Sequence, residues 1–397
     1  MTLCRSIVRM LVRSGGLAVL CAAGLATPAA QAGPIYPAPD PDGFYAAPAD
    51  LAGHAPGEVL RSRPVGTHPW PGATVWQLLF RSTDSHGGPI AAVTTLITPG
   101  PGARPLVSYQ PFVNSLGTRC APSHSLFDGG MQESGALGLM LARGWAVAVP
   151  DHLGPTSAYG ASRLGGQITL DGIRAVEGFA PAGLQGAPVG LIGYSGGAMS
   201  TGFAAALAPE YAPELPIVGV AQGGLPVNPG KVALQIGDRP HPLFGLGFAV
   251  AMGLQREYPE EMPLDRALTP AGFALRDQLA NVCTDQIITA GAGHSVGEFF
   301  TAGMQSDPVL IATMHANALE TFPGVPRAPI YQWHGGNDQV PLDQALATAG
   351  RYCAAGTPVL FDVIPGADHA GAIVPGAMKA AGYLADRFAG LPAPANC

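Results

Sequence analysis

The chain has 397 residues, of which 47% are hydrophobic and 12% are charged, and its formal net charge is −7. An acidic balance with few basic clusters argues against nucleic acid or an anionic membrane surface as a partner. The 55 glycines and 40 prolines approach the level found in disordered chains. However, the hydrophobic content and the distinct strand-like runs predict a packed globule with many turns.

The first 32 residues have the pattern of a secretory signal peptide. Arg5, Arg9 and Arg13 give a positively charged start, residues 15–25 are apolar, and a small-x-small site ends at Ala32. Cleavage is therefore predicted after Ala32. No later apolar run reaches the roughly 18 to 20 residues that a membrane span requires. We expect an exported protein, extracellular or in the cell envelope, without a transmembrane segment.

The rest of the chain predicts strands that alternate with helices. After a Pro- and Ala-rich arm at 33–71, expected to be irregular, residues 75–83 and 91–99 flank a turn and predict a hairpin. Further strands are predicted at 106–110, 145–149, 189–192, 217–220, 330–333 and 359–364. Further helices are predicted at 134–143, 168–180, 197–208 and 375–388. Because several strands are continuously apolar, we expect an α/β fold whose mostly parallel central sheet is flanked by helices.

Residues 225–325 interrupt this alternation. The interval contains helix-like segments at 244–256, 270–283 and 308–318 but no convincing buried strand. A stretch of about 100 residues is too long for a loop in a compact domain. We therefore predict a helical cap inserted between two parts of an α/β core, 33–224 and 326–397.

A nucleophile elbow is indicated at residues 193–197, Gly-Tyr-Ser-Gly-Gly, between an apolar strand and a helix. Such a turn strains the central serine and exposes its hydroxyl, so the positions two before and two after it must be nearly free of side chains. Ser195 is the predicted nucleophile. The N–H of Gly196, at the start of the helix, is a predicted oxyanion donor. A glycine-rich turn without chemistry is the alternative, and the strand and helix around the motif favour catalysis.

A nucleophilic serine requires a base and an orienting carboxylate. In this type of sheet the chain order is serine, acid, histidine. Among the ten histidines, His369 satisfies that order well, because it follows the predicted strand 359–364. Asp338 directly follows the strand 330–333 and is the preferred acid, with Asp368 as its main rival. The second oxyanion donor is expected in the loop 111–117.

Four cysteines remain beyond the predicted cleavage site. An even number in an exported chain implies disulfides, and three pairings are open. No two of these cysteines have the short spacing of a zinc ligand pair, so no metal is expected. They are Cys120, Cys283, Cys353 and Cys397.

Several spaced motifs are shared with one known family. They are Gly-Tyr-Ser-Gly-Gly at 193–197, Tyr-Ala-Pro-Glu-Leu at 211–215, Gly-Gly-Leu-Pro at 223–226, Ser-Tyr-Gln and Cys-Ala-Pro-Ser within 108–123, and Trp-His with Asp and Val-Pro within 333–341. Together they resemble the secretory lipase family of the fungal lipase A type, from about residue 36 to residue 397. The resemblance implies an α/β-hydrolase fold with a helical cap. It also implies disulfides Cys120 to Cys283 and Cys353 to Cys397.

The resemblance further implies a function. Ser195, Asp338 and His369 would form a triad that hydrolyses triacylglycerols and other carboxylic esters without metal or cofactor, with transient contact at a lipid interface. A carboxylesterase for short or bulky esters and a cell-envelope acyltransferase would use the same residues, so both stay open, as does the oligomeric state. The apolar run 243–250 is either an acyl-binding wall or lid, or an ordinary buried cap helix.

The sequence departs from the family pattern in the oxyanion loop. The best-known members have an aspartate at the position of Asn114. An aspartic acid donates a hydrogen bond only when it is protonated, whereas an asparagine amide donates at every pH. Activity is therefore expected to require a neutral His369 but no acidic pH on account of Asn114.

Overall fold

One nine-stranded sheet organises the chain in the computed structural model, which describes residues 33–66, 69–301 and 306–397. The predicted signal peptide lies outside the described residues. The strands are β1 (Val59–Pro64), β2 (Thr74–Thr83), β3 (Pro89–Thr98), β4 (Leu106–Gln110), β5 (Ala146–Pro150), β6 (Val189–Tyr194), β7 (Ile217–Gly223), β8 (Ile330–Gly335) and β9 (Val359–Ile364). Their spatial order is β1-β2-β3-β5-β4-β6-β7-β8-β9.

The sheet is parallel from β5 to β9 and antiparallel on the other side. The hairpin of β2 and β3 pairs from Thr74 with Thr98 to Thr83 with Pro89, as predicted. Strands β4, β5, β6 and β8 are buried along their whole length, because helices cover both faces. Successive side chains enter different cores: Leu191 packs on one face of the sheet and Ile192 on the other. The α/β prediction is confirmed.

Helices connect the strands, and six of those described lie in the segment between β7 and β8, which we call the insertion. In the described chain they are α1 (Pro122–Asp128), α2 (Ser134–Ala142), α3 (Ser162–Gly178), α4 (Gly196–Tyr211), α5 (Pro229–Gly237), α6 (Phe244–Glu257), α7 (Pro270–Leu279), α8 (Thr284–Gly291), α9 (Val296–Phe299), α10 (Pro308–Ala316), α11 (Leu342–Ala354) and α12 (Ile373–Phe388). Helices α3, α4 and α11 contribute to the core on one face, and α2 and α12 to the core on the other. Within the described residues, no helix has the length and apolar character to cross a membrane.

Between β7 and β8 the described residues form six helices, α5 to α10, and no strand. These helices pack around a hydrophobic cluster that includes Phe244, Phe248 and Phe299. The cluster also includes Met199 and Phe203 of α4. Gly33–Cys397 forms one compact unit. The division into a core at 33–224 and 326–397 and a cap at 225–325 stays a prediction.

A buried arginine joins the insertion to the segments around it. Arg256 of α6 is 3% exposed, and burial lowers the pKa of its guanidinium to about 10. Backbone carbonyl oxygens accept its hydrogen bonds, at distances of 2.7 to 3.1 Å. These oxygens belong to Ile35, Leu116, Thr156, Ser157 and Ala280. Since Leu116 lies in the segment that follows β4, the insertion is fixed to the part of the core that contains Asn114.

Two disulfides add covalent connections. Cys120 pairs with Cys283 and Cys353 pairs with Cys397, which is the pairing that the family resemblance implied. The first disulfide joins the segment after β4 to the start of α8. The second ties the C-terminal residue to α11.

The arm at 33–71 is less irregular than predicted. Residues Val59–Pro64 form β1, which pairs antiparallel with β2. That part of the prediction is wrong. An edge strand has only one neighbour, and β1 has no fully buried residue. Its sequence therefore lacks the strict alternation of apolar and polar residues that predicts a half-buried strand.

Candidate active site

Ser195 lies at the turn between β6 and α4, in the left-handed region of backbone conformation. Its φ is 51° and its ψ is −118°. Among the described non-glycine residues, only Ser157 shares a positive φ. A non-glycine residue in such a conformation is strained, so the surrounding structure must hold it in place.

The glycines around Ser195 are required by close packing. A Cβ atom on Gly197 would lie 1.9 Å from the backbone oxygen of Gln110, at the end of β4. A Cβ atom on Gly193 would lie 2.8 Å from the backbone of Gly197. At Gly196 the obstacle is Asn114, whose Oδ1 atom would be 2.0 Å away. The turn therefore has no space for a side chain at these three positions.

The side chains of Ser195, His369 and Asp338 meet beyond the carboxyl ends of β6, β8 and β9. His369 Nε2 is 2.8 Å from Ser195 Oγ, and His369 Nδ1 is 2.8 Å from Asp338 Oδ1. The Asp338 side chain is fully buried, and the His369 side chain is 25% exposed. In this arrangement His369 Nε2 could accept the proton of the serine hydroxyl, and Asp338 could orient the ring and stabilise its charged form.

The environment of Asp338 favours its charged form. Burial alone would raise the pKa of this carboxyl, but the hydrogen bond and the charge of His369, together with the Val340 N–H, hold the pKa below its usual range. Asp338 is therefore an anion when His369 becomes protonated. The rival Asp368 accepts a hydrogen bond from the Gly371 N–H at 2.7 Å and has no hydrogen bond with the His369 ring.

His334 lies behind Asp338, at the end of β8. Its Nε2 atom is 3.5 Å from Asp338 Oδ2 and 2.9 Å from the carbonyl oxygen of Val340. Burial lowers the pKa of His334 and so favours the neutral ring, which supports the loop through Val340. The sequence analysis favoured His369 as the base, and no local signal showed that His334 would pack against the acid.

Tyr194 is a second residue that the sequence analysis missed. Its hydroxyl donates a hydrogen bond to the backbone oxygen of His369, and its ring centroid is 5.1 Å from that of the imidazole. Burial raises the pKa of Tyr194, so the phenol remains a donor. Gln339 Oε1 accepts from the His369 N–H at 3.1 Å. The loop that contains His369 is thus held from two sides.

The two predicted oxyanion donors lie beside Ser195, and Asn114 lines the same cavity as the serine. Gly196 is the first residue of α4, where an N–H group has no intrahelical acceptor. Asn114 is 8% exposed and lies in the loop after β4, against Gly196. The two positions adjoin the nucleophile, as an oxyanion hole requires.

A cavity of about 490 Å³ extends from Ser195 and His369 into the insertion. Its apolar wall comes from α5, α6 and the residue before α6: Val232, Ala233, Ile236, Leu243, Leu246 and Val250. A smaller, almost wholly apolar cavity lies within the insertion and shares the lining residues Ala233, Gly247 and Val250 with the first. The run 243–250 therefore fits both of its predicted roles. One side of it lines the cavity, and Phe244 and Phe248 are buried inside the insertion.

Comparisons of sequence place these features among known proteins. A sequence model of the family described as secretory lipase matches residues 132–396. A probable inactive lipase of Mycobacterium tuberculosis is 34% identical, over 90% of this chain and 84% of that protein. A secreted triacylglycerol lipase of Malassezia furfur is 33% identical, over 86% and 78%. A trichothecene C-3 esterase of Fusarium sporotrichioides is 30% identical, over 85% and 80%.

The fold is similar to that of a crystallised lipase. Candida antarctica lipase A in its closed state superimposes with a TM-score of 0.84 and is 28% identical in sequence. The match covers 91% of each chain. The chain therefore has an α/β-hydrolase fold.

Replacing Gly197 by alanine tests how tightly the turn is packed. A Cβ atom would clash with the backbone of Gln110, so we expect Gly197→Ala to lower the free energy of unfolding by about 1–3 kcal/mol or more. Urea unfolding followed by circular dichroism measures this loss.

Gly382→Ala is the matched control, because Gly382 also lies in a helix, α12, and a Cβ atom there meets nothing within 4 Å. There alanine should raise the stability by about 0.5–1 kcal/mol through its better helix propensity. The same gain at Gly197 would contradict the close approach of β4 to the turn.

Proposed function

The chain belongs to the secretory lipase family, and we propose that it is a secreted serine lipase that hydrolyses triacylglycerols and other carboxylic esters through an acyl-enzyme intermediate. Family and fold make it a carboxylic ester hydrolase. One observation carries the proposal beyond that class. Ser195 and His369, which are hydrogen-bonded to each other and through His369 to Asp338, line a cavity with an apolar wall.

In the first half of the proposed reaction, Ser195 Oγ attacks the ester carbonyl while His369 Nε2 takes its proton. Asp338 keeps the ring oriented and stabilises the imidazolium that forms. The Gly196 N–H and the Asn114 amide would hold the negative oxygen of the tetrahedral intermediate. His369 then protonates the leaving alcohol, and the acyl group remains on Ser195.

In the second half, a water molecule takes the place of the alcohol. His369 again accepts a proton, and the tetrahedral intermediate collapses to release the carboxylic acid and restore Ser195. No step requires a metal or a cofactor. The same groups serve both halves, because the acyl carbon occupies the same place in each.

We assign the acyl chain of the substrate to the cavity wall that α5 and the start of α6 provide. Apolar side chains such as Val232, Ile236 and Leu246 would remove methylene groups from water, at about 0.8 kcal/mol per CH₂. On this proposal residues 225–325 act as a cap on a core formed by 33–224 and 326–397. The cap determines which acyl chains are accepted.

Export through a signal peptide cleaved after Ala32 is part of the proposal. The family is secretory, and one relative is named a secreted lipase. The two disulfides of the described residues agree with an oxidising compartment.

Two specific relatives keep other activities in view. The similarity to a trichothecene C-3 esterase favours an esterase for bulky alcohols as the second candidate. The similarity to a probable inactive lipase makes a protein without catalytic activity the alternative to an enzyme. The hydrogen bonds that join Ser195, His369 and Asp338 favour an active enzyme. An acyltransferase would differ in preferring an added alcohol to water.

A chain-length series tests the proposed activity. The protein without residues 1–32, with its disulfides intact, is assayed on p-nitrophenyl esters from acetate to palmitate and on an emulsified triacylglycerol. We expect turnover on long chains and on triacylglycerol, because the cavity continues into the insertion. Ser195→Ala should lose at least about 10⁴-fold in kcat, as a lost nucleophile does in triad enzymes.

Each other outcome has a definite meaning. Turnover confined to acetate and butyrate would favour the esterase, and product that moves to an added alcohol would favour the acyltransferase. Hydrolysis by the wild-type protein no faster than by Ser195→Ala would contradict an ester hydrolase altogether.

The Asn114→Asp variant tests the second oxyanion donor through its pH dependence. An aspartate can donate a hydrogen bond only in its protonated form, whereas the asparagine amide donates throughout. The variant should lose about 10²- to 10³-fold in kcat near pH 8 and recover part of it towards acid pH. Profiles of kcat against pH for the variant and the wild-type protein measure this. Parallel profiles would contradict a donor role for Asn114.

A further inference from the structure

Glu133 lies at the edge of the active-site cavity, immediately before α2. Its Oε1 atom accepts a hydrogen bond from the Tyr109 hydroxyl at 2.8 Å, and its Oε2 atom accepts one from the Phe112 N–H at 2.8 Å. One carboxylate therefore bridges a side chain of β4 and the backbone of the loop that follows β4. Phe112 is only two residues from Asn114.

The position of Glu133 immediately before α2 does not explain these contacts. The residue precedes the first turn of the helix, where a carboxylate commonly accepts from the free N–H groups. The Glu133 side chain makes no such capping bond. It turns back to Tyr109 and Phe112. Burial raises the pKa of this carboxyl to about 7, although both hydrogen bonds act to lower it. A carboxyl group whose pKa is raised by burial beside a cavity is a candidate for a functional role.

The loop at 111–115 depends on few other fixed points. Its backbone makes tight internal turns, from the Val113 N–H to Pro111 O and from the Ser115 N–H to Val113 O. Beyond it, the Leu116 N–H donates to Val282 O of the insertion. The Asn114 Oδ1 atom is buried and has no hydrogen-bond partner in the described chain. On the other side of Asn114, the Ser157 hydroxyl donates to Ser115 O at 3.3 Å, so Glu133 is the side-chain anchor on the side of Asn114 that leads back to β4.

We propose that Glu133 is a positioning residue for the oxyanion loop, and that its carboxylate holds the backbone at Phe112 so that the Asn114 amide stays aligned with Gly196. This inference rests on the proposed ester hydrolysis. The alignment matters in the transition state, where the negative oxygen forms, and much less for the bound ester. Loss of Glu133 therefore affects kcat and leaves KM nearly unchanged.

Three variants at this position test the proposal on a soluble p-nitrophenyl ester. Glu133→Ala removes the anchor and should lower kcat about 10- to 100-fold, since a small misplacement of a catalytic group has that effect. Glu133→Gln should retain most of the activity. Its carbonyl can accept from Phe112, and its amide can donate to the oxygen of Tyr109. Glu133→Asp keeps the charge but is too short to reach both donors, so it should also lower kcat.

A double-mutant cycle shows whether the effect passes through Asn114. The loss caused by Glu133→Ala is measured in the wild-type protein and in Asn114→Ala. If Glu133 acts by positioning Asn114, Glu133→Ala should lower kcat much less in the Asn114→Ala background than in the wild-type protein. Glu210→Ala, which removes an exposed carboxylate of α4, is the control for a general effect of lost charge. Thermal unfolding identifies the folded variants, and Glu133→Asp takes the place of Glu133→Ala if the latter does not fold.

Four results would overturn the inference. They are a kcat for Glu133→Ala equal to that of Glu210→Ala, a loss that appears in KM alone, a Glu133→Gln variant as impaired as Glu133→Ala, and an equal loss in both backgrounds of the cycle. A wild-type protein that hydrolyses no ester faster than Ser195→Ala would instead refute the proposed function. The two failures are thus distinguishable.

Discussion

The contact between the end of β4 and the start of α4 is the constraint on which the site depends. The backbone of Gln110 lies so close to Gly197 that no side chain fits between them. Thr201 reinforces this contact, because its hydroxyl donates to the side-chain oxygen of Gln110 at 2.8 Å. Since β4 leads directly into the loop of Asn114, and α4 begins directly after Ser195, the same contact sets the distance between nucleophile and oxyanion loop.

The parallel sheet provides the remaining positions. β8 and β9 run in the same direction as β6, so the loops that contain Asp338 and His369 leave the sheet on the same edge as Ser195. This edge is where open α/β sheets bind their ligands. The insertion then covers the edge with apolar side chains, and the bonds of Arg256 and the disulfide of Cys120 fix it beside the oxyanion loop. The proposed substrate selection and the proposed chemistry therefore share one structural support.

The parts of the molecule that could be predicted from the sequence are those with a clear local pattern of residues. The apolar strands, the glycine-framed turn at Ser195 and the order of Asp338 and His369 along the chain carry strong local signals, and the structure brings these three side chains together. Helix α11 was given no range, although its buried positions Ala345, Ala349 and Tyr352 have helical spacing. Alanine is a weak hydrophobic signal, so the pattern is faint.

Other features had no local signal at all. His334, Tyr194 and Glu133 act through partners that are between 4 and 175 residues away in sequence. Polar contacts of this kind depend on which loops the fold brings together. The edge strand β1 was missed for a related reason, since its pairing with β2 is specified by its neighbour and hardly by burial of its own side chains.

The central claim is that Ser195 is a nucleophile activated by His369. Titration with diethyl p-nitrophenyl phosphate tests it most directly, with released p-nitrophenol counted and the modified peptide mapped by mass spectrometry. The account predicts one equivalent of p-nitrophenol per protein, a phosphoryl group on Ser195, and a much slower reaction in His369→Ala. A label on Ser157, the other serine with a positive φ, or a rate independent of His369 would contradict it.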